Sequence, residues 1–379
     1  MIYKEFHGKR LSSLGLGCMR LPTVGGKDAE IDVKRSEEMF DYAISNGINY
    51  FDTAWPYHGG KSEEVTGDIL ANYPREKWNI ASKFPGWSKE NIQNAQEIFS
   101  TQLKKCRVKH FDFYLFHCVS DSNIEGYLDR SLGLADYIFR QKQEGKIGHV
   151  GFSVHASTET TKRFLDAYGD QIDFCQVQLN YLDLTYQQAN EKLDLLRERG
   201  IPVWVMEPLR GGKLATLSDD YRAMLAPYRD ASPVEWAFRF LQSIPEVTMT
   251  LSGMSDMDQL RDNVRIFSEH KPLGADELAV LSRIAEDMST KFIPCTGCKY
   301  CIDKCPLELN IPYLLKLYNE HTFTGGEFTT PPILKKAKPE RRPSACLSCR
   351  SCESVCPQQI KISEVLGDFA EKINSANQH

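Results

Sequence analysis

The chain has 379 residues, a net charge of −5 and 26% charged residues, which is room for a core domain of ~250 residues and a smaller second one. No basic face dominates, so nucleic acid is not an expected partner. No apolar run approaches the ~20 residues of a membrane helix, and Met1–Phe6 carries neither a leader pattern nor a twin arginine, so a soluble cytoplasmic protein without a membrane partner is expected.

Residues 3–6 and 10–13 alternate around His7-Gly8-Lys9 and predict a small β-hairpin. Leu14–Cys18 then reads as a short buried strand. Residues 32–46 have helical spacing through Val33, Met39, Phe40, Ala43 and Ile44, and stop at Asn46-Gly47. A strand at 48–52 follows. A helix near 61–72 precedes a strand at 79–84, and a helix near 90–106 precedes one at 111–116. Beyond these come a helix at 124–145, a strand at 147–153, a helix at 158–169 and a strand at 173–179. The series ends with a helix at 187–199, a strand at 202–206, a helix at 232–243, a strand at 247–251 and a helix at 256–268.

Eight strand–helix units in this length predict an α/β fold with a closed (β/α)8 TIM barrel. The alternative is an open doubly wound sheet. Gly15-Leu16-Gly17 is not followed by the glycine of a dinucleotide fingerprint, which disfavours a Rossmann domain. A further amphipathic helix covers 274–289. Composition then shifts: residues 290–360 are rich in Cys, Pro and Lys, and the tail at 361–375 reads as helical. The expected division is 1–272 for the barrel and 273–379 for a second domain. The segment Gly325–Pro343 has turn and loop character, and the basic run Lys335–Arg342 within it reads as a solvated loop.

In a parallel barrel the residue ending each strand points into the bowl at the C-terminal rim. Asp52 ends the second barrel strand, Lys83 sits near the end of the third, His117 follows the fourth, and Tyr57 lies in the loop after Asp52. A phenol is a weak acid, with an ordinary pKa of ~10. A nearby ammonium favours its ionisation, a carboxylate holds that ammonium in place, and an imidazole can orient a carbonyl oxygen. The set suits protonation of a carbonyl oxygen while hydride arrives at carbon. Each residue alone has a plain structural reading, as an ion pair, a packing ring or a core histidine; four on one rim are harder to read that way.

Phe51-Asp52-Thr53-Ala54-x-x-Tyr57-x-Gly59, Ser82-Lys83 and Leu115-Phe116-His117 resemble the aldo-keto reductase family over about residues 10–270. The resemblance implies a catalytic tetrad of Asp52, Tyr57, Lys83 and His117, with Tyr57 as proton donor. It also implies NADP(H) or NAD(H) extended across the bowl and a hairpin plugging the barrel bottom. Cofactor contacts would come from Met19, Arg20, Ser153, Gln176 and Met206. The loop Glu207-Pro208-Leu209-Arg210-Gly211-Gly212 would wrap the pyrophosphate, with Glu207, Leu209 and Gly211 named for contact. Gly253, Ser255, Gln259 and Asn263 fall in the adenine and 2′-phosphate segment. Departures are Val154 in place of the usual asparagine, Met206 in place of a stacking aromatic ring, and Gly253 and Gln259 where basic residues often stand. Cys18 and Cys118 lie near the bowl and read as packing residues, with no activating base in view.

Eight of the twelve cysteines fall in residues 295–356, which in a cytosolic chain argues for metal over disulfides. Cys295-x2-Cys298-x2-Cys301-x3-Cys305-Pro306 and Cys346-x2-Cys349-x2-Cys352-x3-Cys356-Pro357 match the bacterial ferredoxin run, whose fourth cysteine serves the other cluster. That implies one [4Fe–4S] cluster on Cys295, Cys298, Cys301 and Cys356, and another on Cys346, Cys349, Cys352 and Cys305. Paired zinc sites fit this spacing poorly. The module resembles a two-cluster ferredoxin with 40 residues between Cys305 and Cys346.

The expected protein is an oxidoreductase acting on a small carbonyl or alcohol substrate. Hydride transfer moves two electrons together and each cluster moves one, so the clusters are structural, or a flavin in the barrel or on a redox partner protein bridges the two modes. The alternative is an iron–sulfur electron-transfer protein with a flavin-binding or non-catalytic barrel. Loops near 85–89, 118–123 and 210–231, carrying Trp87, Tyr221 and Tyr228, would select the substrate.

Overall fold

The computed structural model describes residues 1–295, 297–324, 334 and 337–376. The chain forms two compact units, Met1–Leu209 with Arg222–Ala279, and Arg210–Tyr221 with Val280–His379. The boundary thus falls inside the helix Ala275–Thr290 rather than at residue 272, and Arg210–Tyr221 goes with the C-terminal unit. Side-chain ties account for both. Arg229 pairs with Glu277 at 2.7 Å within the first unit, whereas Tyr221 donates to Asp287 at 2.6 Å and Arg210 pairs with Glu320 at 2.6 Å within the second.

In the first unit, β1 (Tyr3–Phe6) and β2 (Lys9–Ser12) form the antiparallel hairpin. Eight parallel strands follow: β3 (Leu14–Gly17), β4 (Tyr50–Asp52), β5 (Asn79–Phe84), β6 (Phe111–Val119), β7 (Ile147–Val154), β8 (Phe174–Gln178), β9 (Val203–Met206) and β10 (Val247–Gly253). They pair in chain order and close through β10 against β3, so the sheet is a barrel.

Strand side chains alternate in direction, and that parity builds both core and rim. Tyr50, Ala81, Phe113, Leu115, Phe174, Trp204, Met249 and Leu251 pack together inside the barrel. Two residues further along their own strands come Asp52, Lys83, His117, Gln176, Met206 and Gly253. These strands therefore bury apolar groups below, and all but β9, which carries Met206, present a polar or small group above. The register keeps this parity: Asp52 pairs with Ala81, two residues before Lys83, and Lys83 pairs with Leu115, two before His117. Phe6 and Leu11 of the hairpin join the same core, and the Phe6 ring lies 4.8 Å from Trp204.

The helices follow their capping residues. Asp32 accepts from the Arg35 amide to open Val33–Ser45, and Ser232 accepts from the Glu235 amide to open Pro233–Gln242. Two expected helices are broken and a third starts late. Residues 124–145 divide into Ile124–Leu128, a 3-10 turn and Leu134–Gln143, because Gly133 is left-handed at φ 67°. Residues 187–199 begin only at Ala189, after left-handed Gln188. Residues 90–106 split at Asn94. No helix among the described residues is long and apolar enough to cross a membrane.

The second unit is an internal duplication with an offset of 51 residues, visible in the alignment of Cys295 with Cys346 and of Cys305 with Cys356. The backbone repeats with the residues. Gly297, Lys299 and Glu308 have positive φ, and so do their counterparts Ser348, Arg350 and Gln359. Each cysteine loop leads into a helix, Ile311–Thr324 in one half and Ile362–Ala376 in the other, and the two pack through Tyr318 and Phe369, 5.6 Å between rings. Most of the expected 325–343 loop lies outside the described residues, as do Lys335 and Lys336. In the remainder of the basic run Arg341 is engaged: its guanidinium donates to the Leu307 carbonyl at 3.0 Å.

Candidate active site and cysteine cavities

Lys83 is the hub of the rim. Its Nζ is buried and donates to Asp52 Oδ1 at 2.5 Å, to the Thr53 carbonyl at 2.8 Å and to the Tyr57 hydroxyl at 3.2 Å. Burial alone would lower the Lys83 pKa; Asp52 and Tyr57 outweigh it and leave the ammonium above its usual value. Burial raises the Asp52 carboxyl, and Lys83 pulls it back.

Tyr57 departs from the sequence expectation. Burial raises its phenol, Lys83 opposes this without offsetting it, and Asp52 adds to the rise. The group is therefore a neutral phenol, the proton-carrying form of an acid. His117 lies edge-on to Tyr57, with ring centroids 6.0 Å apart. Burial first, then Lys83 and His155, hold its pKa well below the usual histidine value, so the imidazole is neutral. Its backbone is fixed by Tyr127, whose hydroxyl donates to the His117 carbonyl at 2.6 Å. A Cβ at Gly86 would meet the Tyr127 ring at 2.3 Å, so only glycine allows this packing. The next residue, Trp87, sets its ring 5.5 Å from His117.

Among the described residues, buried Asp52 Oδ2, His117 Nδ1 and Gln176 Oε1 on this rim have no hydrogen-bond partner. Orphaned buried groups mark sites that await one. Gln176 pairs in register with Ser153, and the Ser153 Oγ accepts from the Cys118 amide at 2.7 Å, leaving its own hydroxyl proton available. Together they present a donor and an acceptor, the complement of a carboxamide. Val154 beside them is buried and apolar. Met206 ends β9, next to Glu207 at φ 55°.

The remaining expected contact residues are distributed as follows. Met19 is exposed and Arg20 half-exposed at the start of the loop after β3. A Cβ at Gly253 would lie 2.6 Å from Arg20 Cγ, so glycine is needed for Arg20 to lie along β10. Ser255 donates to the Arg20 carbonyl at 3.0 Å, and its amide donates to Gln259 Oε1 at 2.9 Å. Asn263 is buried and donates to Ser252 Oγ at 3.1 Å, so it ties the rim together from beneath. Leu209 is half-buried, and Gly211 is exposed with φ 65°. Cys18 is buried and its thiol is pushed up to about 12 by that burial, which fits a packing role.

Residues that sequence reasoning passed over hold the hub from behind. Glu63 is fully buried and accepts from Ser82 Oγ and from Gln102 Nε2, each at 2.6 Å. Gln102 also donates to the Lys83 carbonyl at 3.0 Å and accepts from the Tyr114 hydroxyl at 2.6 Å. Asn180 donates to the Glu207 carbonyl at 3.0 Å and fixes the start of the loop after β9. A buried glutamate three residues after Gly60, inside a helix, was the available signal for the first network.

In the second unit the eight clustered cysteines surround two cavities. Cys295, Cys298, Cys301 and Cys356 line one, walled by Pro312, Leu315 and Ile360. Cys305, Cys346, Cys349 and Cys352 line the other, walled by Leu309, Ile311 and Leu366. Each cavity takes three cysteines from one run and the fourth from the other. Among the described residues no three His, Cys, Asp or Glu side chains converge on one ion. Four thiols around an apolar chamber suit a polynuclear cluster better than a single tetrahedral ion.

The family model for the aldo/keto reductases matches residues 13–286, and that for a 4Fe-4S dicluster domain matches residues 294–360. The chain belongs to the aldo/keto reductase family. As a member it is an oxidoreductase whose barrel is followed by a ferredoxin-like iron–sulfur domain. It is 26% identical over 313 residues to the uncharacterized oxidoreductase YqkF of Bacillus subtilis, a match covering 73% of this chain and 94% of that protein. Two solved aldo-keto reductases share the barrel fold. The holo form of one from Bacillus halodurans has a TM-score of 0.58 and 24% identity, covering 75% of this chain and 96% of that one. One from Klebsiella pneumoniae in complex with NADPH has a TM-score of 0.61 and 19% identity, with the same coverage.

Proposed function

We propose that the barrel reduces a small aldehyde or ketone, or oxidises the matching alcohol, with a nicotinamide dinucleotide, and that Tyr57 donates the proton. The observation that carries this is the buried Lys83 Nζ, within hydrogen-bond reach of both Asp52 Oδ1 and the Tyr57 hydroxyl. When bound, the dinucleotide supplies hydride to the carbonyl carbon. Tyr57 gives its phenolic proton to the carbonyl oxygen, and Lys83 stabilises the phenolate left behind. Neutral His117 orients that oxygen by a ring N–H. Asp52 holds Lys83 charged and aimed. Ser153 and Gln176 would hold the carboxamide, and the loop from Glu207 to Gly212 the pyrophosphate. The NADPH bound by the Klebsiella pneumoniae barrel supports NADP(H) as the form taken here.

We assign Cys295, Cys298, Cys301 and Cys356 to one [4Fe–4S] cluster and Cys305, Cys346, Cys349 and Cys352 to another. The division of cysteines between the two cavities supports this assignment. Such clusters supply one-electron transfer, which makes a redox partner protein or a flavin the means of joining them to hydride chemistry. Buried, apolar Val154 beside the carboxamide pair favours testing for a flavin in the barrel as well.

Tyr57→Phe is the test. It should lower kcat for carbonyl reduction by ~10²–10⁴-fold and leave iron content and NADPH affinity unchanged. Turnover at the wild-type rate in that variant would remove Tyr57 as the donor.

A further inference from the structure

Strand β6 carries an extra residue against β7 where the two reach the rim. Phe116 pairs with Phe152 and Val119 with Val154, so His117 and Cys118 together oppose Ser153. This is a β-bulge, a device that re-aims a side chain. Cys118 takes up the slack at φ 56°, a left-handed conformation that a residue with a Cβ keeps only where its surroundings over-determine it. Contacts within the barrel unit do so. The Cys118 amide donates to Ser153 Oγ at 2.7 Å, and Asn123 Nδ2 donates to the Cys118 carbonyl at 2.8 Å. Asn123 also accepts from the Ser120 amide at 2.9 Å, so one side chain ties the bulge to the turn after it. The Tyr127 hydroxyl holds the His117 carbonyl at 2.6 Å. Past the bulge the His155 amide donates to the Val119 carbonyl at 2.8 Å, and the two strands are again joined.

The imidazole carried by this bulge has a buried Nδ1 with no partner among the described residues. That atom gives the ring no anchor, and its aim falls to the backbone and to ring packing. Ser153 stands between that backbone and the bowl: its oxygen accepts from the Cys118 amide, and its hydroxyl proton is available. A hydroxyl that donates becomes a better acceptor, because hydrogen bonds in a chain polarise one another. Resting on the reading of the barrel as a nicotinamide site, we propose that Asn123 and Ser153 are positioning residues for His117, and that docking of the carboxamide on the Ser153 hydroxyl tightens the bulge that aims the imidazole. Asn123 holds the carbonyl side of Cys118 and Ser153 the amide side. Loss of either lets Cys118 relax out of its left-handed geometry, and the His117 ring moves with the backbone.

Hydrogen exchange of residues 117–123, read by mass spectrometry on the full iron-replete chain, tests this without turnover. Bound NADPH should slow that exchange in the wild type by about fivefold to tenfold, the scale of one hydrogen bond. In Ser153→Ala, with NADPH raised until its fluorescence shows it bound, the exchange should stay at the rate of the free variant. Without dinucleotide, Asn123→Ala should exchange faster than the wild type by a similar factor. Asn123→Asp still accepts from the Ser120 amide but cannot donate to the Cys118 carbonyl, so it should match Asn123→Ala. With 4-nitrobenzaldehyde as the carbonyl probe, Asn123→Ala should lower kcat about tenfold in the wild type and hardly at all in His117→Ala, because it acts through that ring. Wild-type exchange in either Asn123 variant, slowing by NADPH that persists in Ser153→Ala, or an equal loss of kcat in both backgrounds would overturn the proposal. Failure of the wild type to bind NADPH or NADH would sink the reading of the barrel, while exchange in the free Asn123 variants would still decide whether Asn123 holds the bulge.

Discussion

The proton at the centre of the proposed chemistry belongs to Tyr57, and its acidity is set by the contest between burial and Lys83. The residue types alone suggest that the ammonium draws the phenol toward ionisation; in the folded rim burial is the larger effect. The sign for activity follows. Carbonyl reduction needs the phenol protonated, and its pKa lies above the ordinary ~10, so the rate should be flat across neutral pH and fall only on the alkaline side of that value. His117, held neutral by burial, Lys83 and His155, should contribute no break near its ordinary pKa of ~6.5. A pH–rate profile of kcat checks both, and a step near pH ~6.5 that disappears in His117→Ala would contradict the neutral imidazole. Asp52, Tyr57, Lys83 and His117 were legible as rim positions because each lies in the last residues of a strand or in the loop after it, although His117, expected just past its strand, lies within β6. The orphaned Gln176 Oε1 and His117 Nδ1 were not, since whether a buried atom finds a partner depends on neighbours from other strands.

Lys83 cannot hold its geometry alone, and the elements behind it show how it is fixed. The helix Ser62–Leu70 supplies Glu63, the helix Ala95–Lys105 supplies Gln102, and β5 and β6 supply Ser82 and Tyr114, all in one buried network. Glu63→Ala removes the acceptor of the buried Ser82 hydroxyl and one of the acceptors of Gln102, and should cost ~2–4 kcal/mol of stability, read as a lowered unfolding midpoint. Glu63→Gln keeps an acceptor for both and should cost under ~1 kcal/mol. Burial raises the Glu63 pKa despite Ser82 and Gln102. Its contribution to stability is therefore fully present below the unfolded carboxylate value and lost as pH rises through the folded one. The Gln variant should escape that loss. At this scale the sequence marks strands well and helix ends unevenly. Asn46-Gly47 stops a helix where expected, but Asn94 and Gly133 break helices inside patterns that look continuous, because apolar spacing survives a one-residue kink. The helix Ile311–Thr324 was passed over within a cysteine- and proline-rich stretch, although Leu314, Leu315 and Leu317 give it a buried face.

For the whole molecule, the two units carry different chemistry and the crossing of the cysteine runs locks the second one together. Each chamber draws its fourth thiol from the other half of the duplication, so loss of one cluster should loosen both halves. Cys356→Ser should reduce iron toward about four atoms per chain, as expected for loss of one cubane. In anaerobic alkylation it should expose Cys295, Cys298 and Cys301 and leave Cys346, Cys349 and Cys352 protected. Labelling of the second set instead would mean that each run ligates its own cluster.

The amino-acid order by itself determined the barrel, the rim positions of Asp52, Tyr57, Lys83 and His117, and the cysteine runs. Those features rest on short-range regularities: a period of two along strands, one turn signal per unit, and fixed spacings within one loop. The tertiary structure alone decided that burial outweighs Lys83 at the Tyr57 phenol, and that Arg210–Tyr221 belongs with the second unit. These depend on distance through space and on burial: Arg210 and Glu320 lie 110 residues apart in the chain and 2.6 Å apart in the fold.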